Sequence, residues 1–428
     1  MKVTFREALR VWAKIGCLSF GGPAGQIALM HREIVEERRW LTEKEYLSAL
    51  NFCMLLPGPE AMQLATYAGW KMHGVRGGLA AGLLFVLPGA FIVLALTMLY
   101  ASFGNVPLVE AIFYGIKAAV LAIVIEALLR VAKRALKTRA DWVIAALAFL
   151  ALYCFAVPFP IIIIAAGIYG FVRASSASEI ETAKLPSFGA MGRSVGVWAA
   201  IWLVPLATLA IVLGPDHVLT EIGVFFSKLA VVTFGGAYAV LSYMAQAAVE
   251  QKGWLTAPEM IDGLALAETT PGPLILVTQF VGYLAAFREM GSIWGGIAGA
   301  VVTLWMTFAP CFLWIFAGAP YIDAIGRRPK LSGALAAITA AVVGVILNLS
   351  VWFGLHVLFG KVERMDGWFK PWVPDWAGLD WFALGLSLVA AMLLLRFHLG
   401  IIRTLMICAA LGAAWRLLLY YVIPVYAG

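Results

Sequence analysis

Two Pro-Gly-Pro triplets, Pro57-Gly58-Pro59 and Pro271-Gly272-Pro273, interrupt stretches that otherwise read as helices, 43–72 and 258–286. Proline lacks an N–H and clashes with the preceding turn, so two prolines around a glycine should break a helix rather than bend it. A helix that restarts at Pro59 or Pro273 uses proline where it is best tolerated, at the first helical position. Its leading N–H groups and positive dipole end suit an anion. Two such ends can converge on one ion. Glu60, Gln63, Glu268, Thr269 and Thr270 lie beside the breaks. Lys14 and Lys228 stand shortly before the pairs Gly21-Gly22 and Gly235-Gly236, and Lys117 sits within a long apolar run. A lysine at the centre of a bilayer costs ~2.5–3.5 kcal/mol even on mild scales, so a buried one has a use. The anion-binding set expected from these residues is Lys14, Lys228, the two Gly-Gly pairs, Gly58, Pro59, Glu60, Thr269, Thr270, Gly272 and Pro273. Lys117, Gln63, Glu268, Glu126 and Asn348 are secondary polar or coupling groups. Glu60 and Glu268 suit either pairing with the lysines or carrying a coupled proton. The Gly-Gly pairs allow positive φ or close helix approach.

Composition says what must hold these groups. The chain has 428 residues, 63% hydrophobic and 13% charged, with a mean hydropathy of +0.92. Average soluble proteins carry about 25% charged residues. These figures exclude an ordinary cytosolic enzyme, a disordered chain and a nucleic-acid binder with a basic face. They leave an all-α polytopic membrane protein. A spanning helix needs about 20 apolar residues. Clear candidates run near 78–101, 108–129, 141–155, 159–172, 195–213, 292–317, 333–356, 380–395 and 401–423, and the less regular stretches 5–73 and 219–287 bring the expected total to about ten to thirteen crossings. The net charge of +7 and pI of 9.1 read as excess Lys and Arg in cytoplasmic loops. Cys17, Cys53, Cys154, Cys311 and Cys408 form no Cys-x-x-Cys pair and read as small buried hydrophobes, with no metal site. The basic N-terminus lacks the apolar run of a signal peptide.

The two halves repeat. Ser19-Phe20-Gly21-Gly22, Trp40-Leu41-Thr42 and Pro57-Gly58-Pro59 match Thr233-Phe234-Gly235-Gly236, Trp254-Leu255-Thr256 and Pro271-Gly272-Pro273 at a constant spacing of 214. From Glu7 to Pro59, 16 of 53 positions are identical without a gap, against roughly a tenth by chance. Ala118-Ala119-Val120 matches Ala340-Ala341-Val342 at 222. Charge then sets direction. Lys2, Arg6 and Arg10 place the N-terminus inside, as do Arg130, Lys133, Arg134, Lys137 and Arg139 for their loop, and Arg173, Lys184 and Arg193 for theirs. The loop at 102–107 is uncharged, whereas its counterpart holds Arg327, Arg328 and Lys330. Matched loops thus change sides, with segment 195–213 as the odd crossing. The expected organisation is a repeat at 1–175, a linker and reversing helix at 176–214, and an inverted repeat at 215–428, with the C-terminus external. Inverted repeats with broken helices mark secondary transporters whose site lies near the midplane. The Trp-Leu-Thr pairs read as interface anchors followed by an N-cap threonine.

Phe20-Gly21-Gly22-Pro23, Trp40-Leu41-Thr42 and Leu55-Leu56-Pro57-Gly58-Pro59-Glu60, with their second copies, resemble the chromate ion transporter family in its two-domain long form, over the whole chain. The resemblance implies export of chromate across the bacterial inner membrane, chromate resistance, and sulfate as a competing analogue. The second copy has Ala237 for Pro23 and Leu274 for Glu60, so those two roles are not duplicated. A dianion leaving a negative interior gains ~4.6 kcal/mol per 100 mV, which favours export, alone or with proton or anion exchange. The alternatives are a sulfate or other oxyanion transporter, or an anion channel, of the same fold. No His-Glu-x-x-His, Gly-x-Gly-Asp or nucleotide-binding Gly-x-x-x-x-Gly-Lys-Ser/Thr pattern occurs, so neither an enzyme nor a nucleotide-driven pump is expected. Expected partners are chromate, sulfate, the lipid bilayer and, as an assembly, a homodimer; no cofactor is expected.

Overall fold

A computed structural model describes residues 3–20, 22–104, 106–174, 188–234, 237–322 and 329–422. Gly21, Gly235, Gly236, Lys2, Lys184, Arg327 and Arg328 lie outside the described residues. The described chain is helical almost throughout, the polytopic all-α class expected. The exception is a small antiparallel ribbon, Val362–Arg364 against Trp372–Pro374, in register Val362 with Pro374. It falls in the mixed-charge loop, where apolar periodicity is lost.

The sequence repeat is a repeat of elements. Helices α1 (Phe5–Leu18), α2 (Gly22–His31) and α3 (Glu43–Leu55) correspond to later helices Val218–Val232, Ala237–Gln246 and Ala257–Thr269. In both copies the second helix ends in a π-turn, Arg32–Glu37 and Ala247–Gln251. A positive-φ residue follows, Arg39 at 53° and Gly253 at 62°. The third helix then starts on a threonine cap as expected. Thr42 exchanges hydrogen bonds with Glu45, and Thr256 does so with Glu259.

After each break comes a hairpin. Helix α4 is Glu60–Phe103, but His73 and Gly74 (φ 62°) are non-helical, so 60–72 turns back on 75–103. A Cβ on Gly77 would stand 2.2 Å from the Gly69 carbonyl oxygen, so only glycine permits this approach. In the second copy Val277–Met290 ends at Gly291 (φ 60°), and Ile293–Gly318 folds back along it. There a Cβ on Gly299 would lie 2.3 Å from the Gly282 oxygen. Pro88 and Pro310 sit at matched places inside the returning helices.

The remaining elements are α5 (Pro107–Ala135), α6 (Arg139–Phe155), α7 (Phe159–Arg173), α8 (Phe188–Leu213), α9 (Val218–Val232), α10 (Ala237–Gln246), α11 (Ala257–Thr269), α12 (Val277–Met290), α13 (Ile293–Gly318), α14 (Pro329–Leu358), α15 (Trp381–Ala391) and α16 (Ile401–Val422). Among the described residues six helices are long and apolar enough to span a membrane: 60–103, 107–135, 191–213, 293–321, 329–358 and 401–420. Helices at 139–155, 159–173 and 381–396 meet the other three expected stretches but are shorter. The outward faces are apolar: Ile211 is 83% and Val172 77% exposed. In water such a surface would aggregate; a bilayer covers it.

The chain forms two compact units. The first holds 1–95, 165–240 and 270–338; the second holds 96–164, 241–269 and 339–428. Each unit draws on both repeats.

Candidate functional site

Both Pro-Gly-Pro breaks lie in the first unit, and each is tied to the other copy of the repeat. The Gly58 N–H donates to the Thr233 carbonyl at 2.8 Å. The Gly272 N–H donates to the Ser19 carbonyl, also at 2.8 Å. Gly58 and Gly272 are equivalent positions, and so are Ser19 and Thr233. The exchange is therefore reciprocal. It satisfies the glycine N–H groups at the two breaks, which a bilayer interior demands. Both glycines have positive φ, 114° and 98°, a region that L side chains rarely adopt.

The helices that leave the breaks start one residue later than expected. Pro59 and Pro273 occupy the cap position, and the helices begin at Glu60 and, through a 3-10 turn, at Leu274. The physical reason is that the proline carbonyls accept the first turn's hydrogen bonds, from Gln63 N at 3.1 Å and Leu276 N at 2.9 Å. The N–H groups ahead of them have no partner within their helix.

Three buried glutamines brace the backbone. Gln63 Nε2 donates to the Pro57 carbonyl at 2.6 Å, Gln26 Nε2 to the Gly272 carbonyl at 2.6 Å, and Gln279 Nε2 to the Ala90 carbonyl at 3.1 Å. Each Oε1 is buried and takes no hydrogen bond from the described residues. Gly89, next to Ala90, lies under the second break: a Cβ there would stand 2.1 Å from the Pro271 oxygen. Cys311, equivalent to Gly89 in the repeat, lies against Gly58. Gln63 was legible from sequence. Gln26 was not, because it lies 31 residues before the first break and its counterpart is Val240, whereas Gln63 follows that break by one turn.

The other expected residues lie as follows. Gly58, Pro59, Gly272 and Pro273 are buried at the breaks, Thr270 is buried, and Glu60 is half-buried. Gly22 has φ 70° and opens α2. Lys14 is exposed and pairs with Glu33 at 2.6 Å. Glu33 is fully buried and also takes Arg38 at 2.6 Å. Burial opposes its ionisation, but Lys14 and Arg38 outweigh that and hold its carboxyl below the usual range. Lys228 is exposed on α9; the position equivalent to Glu33 is Ala247. In the second unit, Lys117 pairs with Asp262 at 3.2 Å, and Glu126 pairs with Arg130 one turn along α5. Thr269 Oγ1 donates to the Leu266 carbonyl at 2.9 Å, Glu268 is buried, and Asn348 lines a small cleft with Gln246, Glu250 and Arg364. Cysteines 53, 311 and 408 are buried, but Cys17 is exposed, because it falls on the outward face of α1 beside Leu18.

A family model described as chromate transporter matches residues 6–171 and 220–413, one match for each copy of the repeat. The chain belongs to the chromate transporter family. Similar proteins include the chromate transport protein of Pseudomonas aeruginosa, 35% identical over 350 residues, covering 80% of each chain. The chromate transport protein of Cupriavidus metallidurans is 30% identical over 351 residues, 80% of this chain and 81% of its own. The probable chromate transport protein of Synechococcus elongatus is 30% identical over 372 residues, 85% of this chain and 90% of its own. No solved structure matches. Family membership makes this a multi-pass membrane protein of a transporter family.

Proposed function

We propose that this protein exports chromate from the cytoplasm, driven by membrane potential alone or with proton or anion exchange, and thereby confers chromate resistance. The observation that carries this is the reciprocal pair of hydrogen bonds between the Pro-Gly-Pro breaks and the Ser19 and Thr233 carbonyls. It joins two helix starts from two copies into one pseudo-symmetric centre, the arrangement in which transporters place an anion. The similar chromate transport proteins named above supply the ion. Chromate is a tetrahedral oxyanion that accepts hydrogen bonds, and the leading N–H groups of the two half-helices are donors.

The matched loops' change from uncharged to basic supports an inverted second repeat and a cytoplasmic N-terminus, and in this reading the membrane is the bacterial inner membrane. In this reading the half-helix starts ligate the ion. Lys14 and Lys228, both exposed, attract it. Sulfate shares the tetrahedral geometry and competes.

The test is chromate flux into proteoliposomes, with sulfate, molybdate and tungstate as competitors. Saturable flux that a gradient of chromate on the opposite side accelerates is expected. Non-saturating flux would indicate a channel, and flux of sulfate unaffected by chromate would remove chromate as the substrate.

A further inference from the structure

The second unit contains a cavity of about 450 Å³ that the anion site does not use. Its floor is an ion pair that joins the two copies of the repeat. Lys117 of α5 has Thr339 as its counterpart, and Asp262 of α11 has Ser48, so neither member is duplicated. Asp262 is 4% exposed. Its Oδ2 accepts from the Tyr100 hydroxyl at 2.8 Å. Its Oδ1 faces Lys117 Nζ at 3.2 Å but takes no aligned hydrogen bond among the described residues. That oxygen keeps a lone pair beside a cavity open to solvent.

The surroundings are charged on every side. Helix α5 contributes Glu110 and Tyr114, α11 contributes Glu259, and α16 contributes Arg416 and Tyr420. The Arg416 guanidinium lies 4.3 Å from the Tyr114 ring centroid, and the Tyr114 hydroxyl donates to Asp380 at 2.7 Å. The lining thus sets Lys117 and Arg416 against Glu110, Glu259 and Asp262. With all five ionised, acids outnumber bases and an oxyanion is repelled. One proton on Asp262 lowers that acidic excess, to which Asp380 behind Tyr114 adds, and releases Lys117 from its partner. An ion pair this buried is costly to keep and is a natural two-state element. Asp262 also stands on the helix whose chain runs on into the second Pro-Gly-Pro break.

We propose that Asp262 binds and releases the proton that accompanies oxyanion movement, with Lys117 as the cation whose charge it masks. The step is a protonation: a proton from cavity water bonds to the Asp262 carboxylate, and the ion pair to Lys117 separates. This rests on the transport reading above.

The test uses the full-length protein in proteoliposomes, following chromate flux and, in the same vesicles, internal pH with a trapped dye. Wild-type protein should move protons with chromate, and its flux should vary with pH. Asp262→Asn should lose the chromate-dependent proton movement and the pH dependence, and Asp262→Glu should restore both. The swapped pair Lys117→Asp with Asp262→Lys keeps the ion pair but should not recover proton movement. Proton movement that persists in Asp262→Asn, or that the swap restores in full, overturns the assignment and leaves a structural ion pair. If Asp262→Asn fails to fold, Asp262→Glu carries the test: its longer carboxylate should retain proton movement with a shifted pH midpoint, and an unshifted midpoint overturns the proposal. Wild-type vesicles that carry no chromate defeat the transport reading itself, whereas chromate flux with unchanged protons in the variant defeats only Asp262.

Discussion

The two Pro-Gly-Pro breaks share a backbone and differ in what surrounds it. At the first, Gly58 faces the ends of side chains: a Cβ would meet Gln63 Nε2 at 2.8 Å and Cys311 Sγ at 2.9 Å. Pro57 and Glu60 are half-buried, and Glu60 puts a carboxylate on the first turn. At the second, every residue from Thr270 to Phe280 is buried. A Cβ on Gly272 would meet Leu276 Cδ1 at 2.9 Å and then the Cα of Gly89 at 3.3 Å, and the helix opens with the apolar 3-10 turn Leu274–Leu276. Duplication therefore kept what the backbone needs, the prolines, the glycine and the carbonyl across the repeat. It left the side chains free to specialise. The first break is the more open and partly self-neutralised; the second is a clamped, uncharged helix start.

The largest effects should come from removing the backbone freedom on which the comparison rests. Gly89→Ala drives a Cβ into the Pro271 carbonyl, and thermal unfolding in detergent should show a loss of about 1–3 kcal/mol or more. Gly58→Ala and Gly272→Ala should each cost about 1–3 kcal/mol through positive φ alone. Adding Cys311→Ala should recover part of the Gly58→Ala loss. At Gly272, Leu276→Ala should recover less of the loss, since it frees the contact at 2.9 Å but leaves the Gly89 backbone at 3.3 Å. Equal rescue at both sites would erase the distinction.

Next come the braces. Gln26→Leu strands the buried Gly272 carbonyl and should cost about 1–3 kcal/mol, the penalty for an unpaired buried acceptor. Gln63→Leu should cost less, because Pro57 is half-exposed and water can replace the amide. Equal losses would mean that the two breaks are equally dry.

The lysines extend the comparison outward. Lys14→Ala removes one of two cations from Glu33, but Lys14 is exposed and Arg38 remains, so less than about 1 kcal/mol is expected. Because the folded Glu33 carboxyl titrates below its usual range, its contribution is present above the ordinary carboxylate range and is lost as pH falls through the lowered value. The Lys14→Ala difference should therefore shrink in acid. Glu60→Leu copies the second break into the first and should tighten chromate about two- to fivefold in a competition assay, the size of one charge at a helix start (~0.3–1 kcal/mol). Lys228→Ala should change stability least, within about 0.5 kcal/mol, since Ala247 replaces the acid that Lys14 meets. If chromate flux in that variant also stays at the wild-type value, Lys228 has no part in drawing the anion.

Much of the fold was legible because membrane helices announce themselves by length and hydropathy, and because repetition marks what must be kept. The repeat predicted both capped third helices from Thr42 and Thr256. It did not predict that the half-helices would start after the prolines, since cap geometry depends on which carbonyl reaches the first turn. It also passed over Gln26, Glu33 and Asp262. None has its own residue type in the other copy, where Val240, Ala247 and Ser48 stand, so the signal that exposed the breaks hid these residues. Asp262 stood between Glu259 and Glu268 in one helix-length run, and nothing in the sequence joined it to Lys117.

The sequence by itself determined that this chain is a polytopic membrane protein of two related halves, each with a broken helix. Charge density, hydropathy and a constant spacing are properties of the chain and need no folding to be read. Only the tertiary structure decided that each break is held by the other half, through Gly58 to Thr233 and Gly272 to Ser19. Those bonds cross 175 and 253 residues of chain, and a backbone carbonyl carries no side-chain signature. The same holds for Lys117 and Asp262: residue types set their charges, but only packing set them 3.2 Å apart.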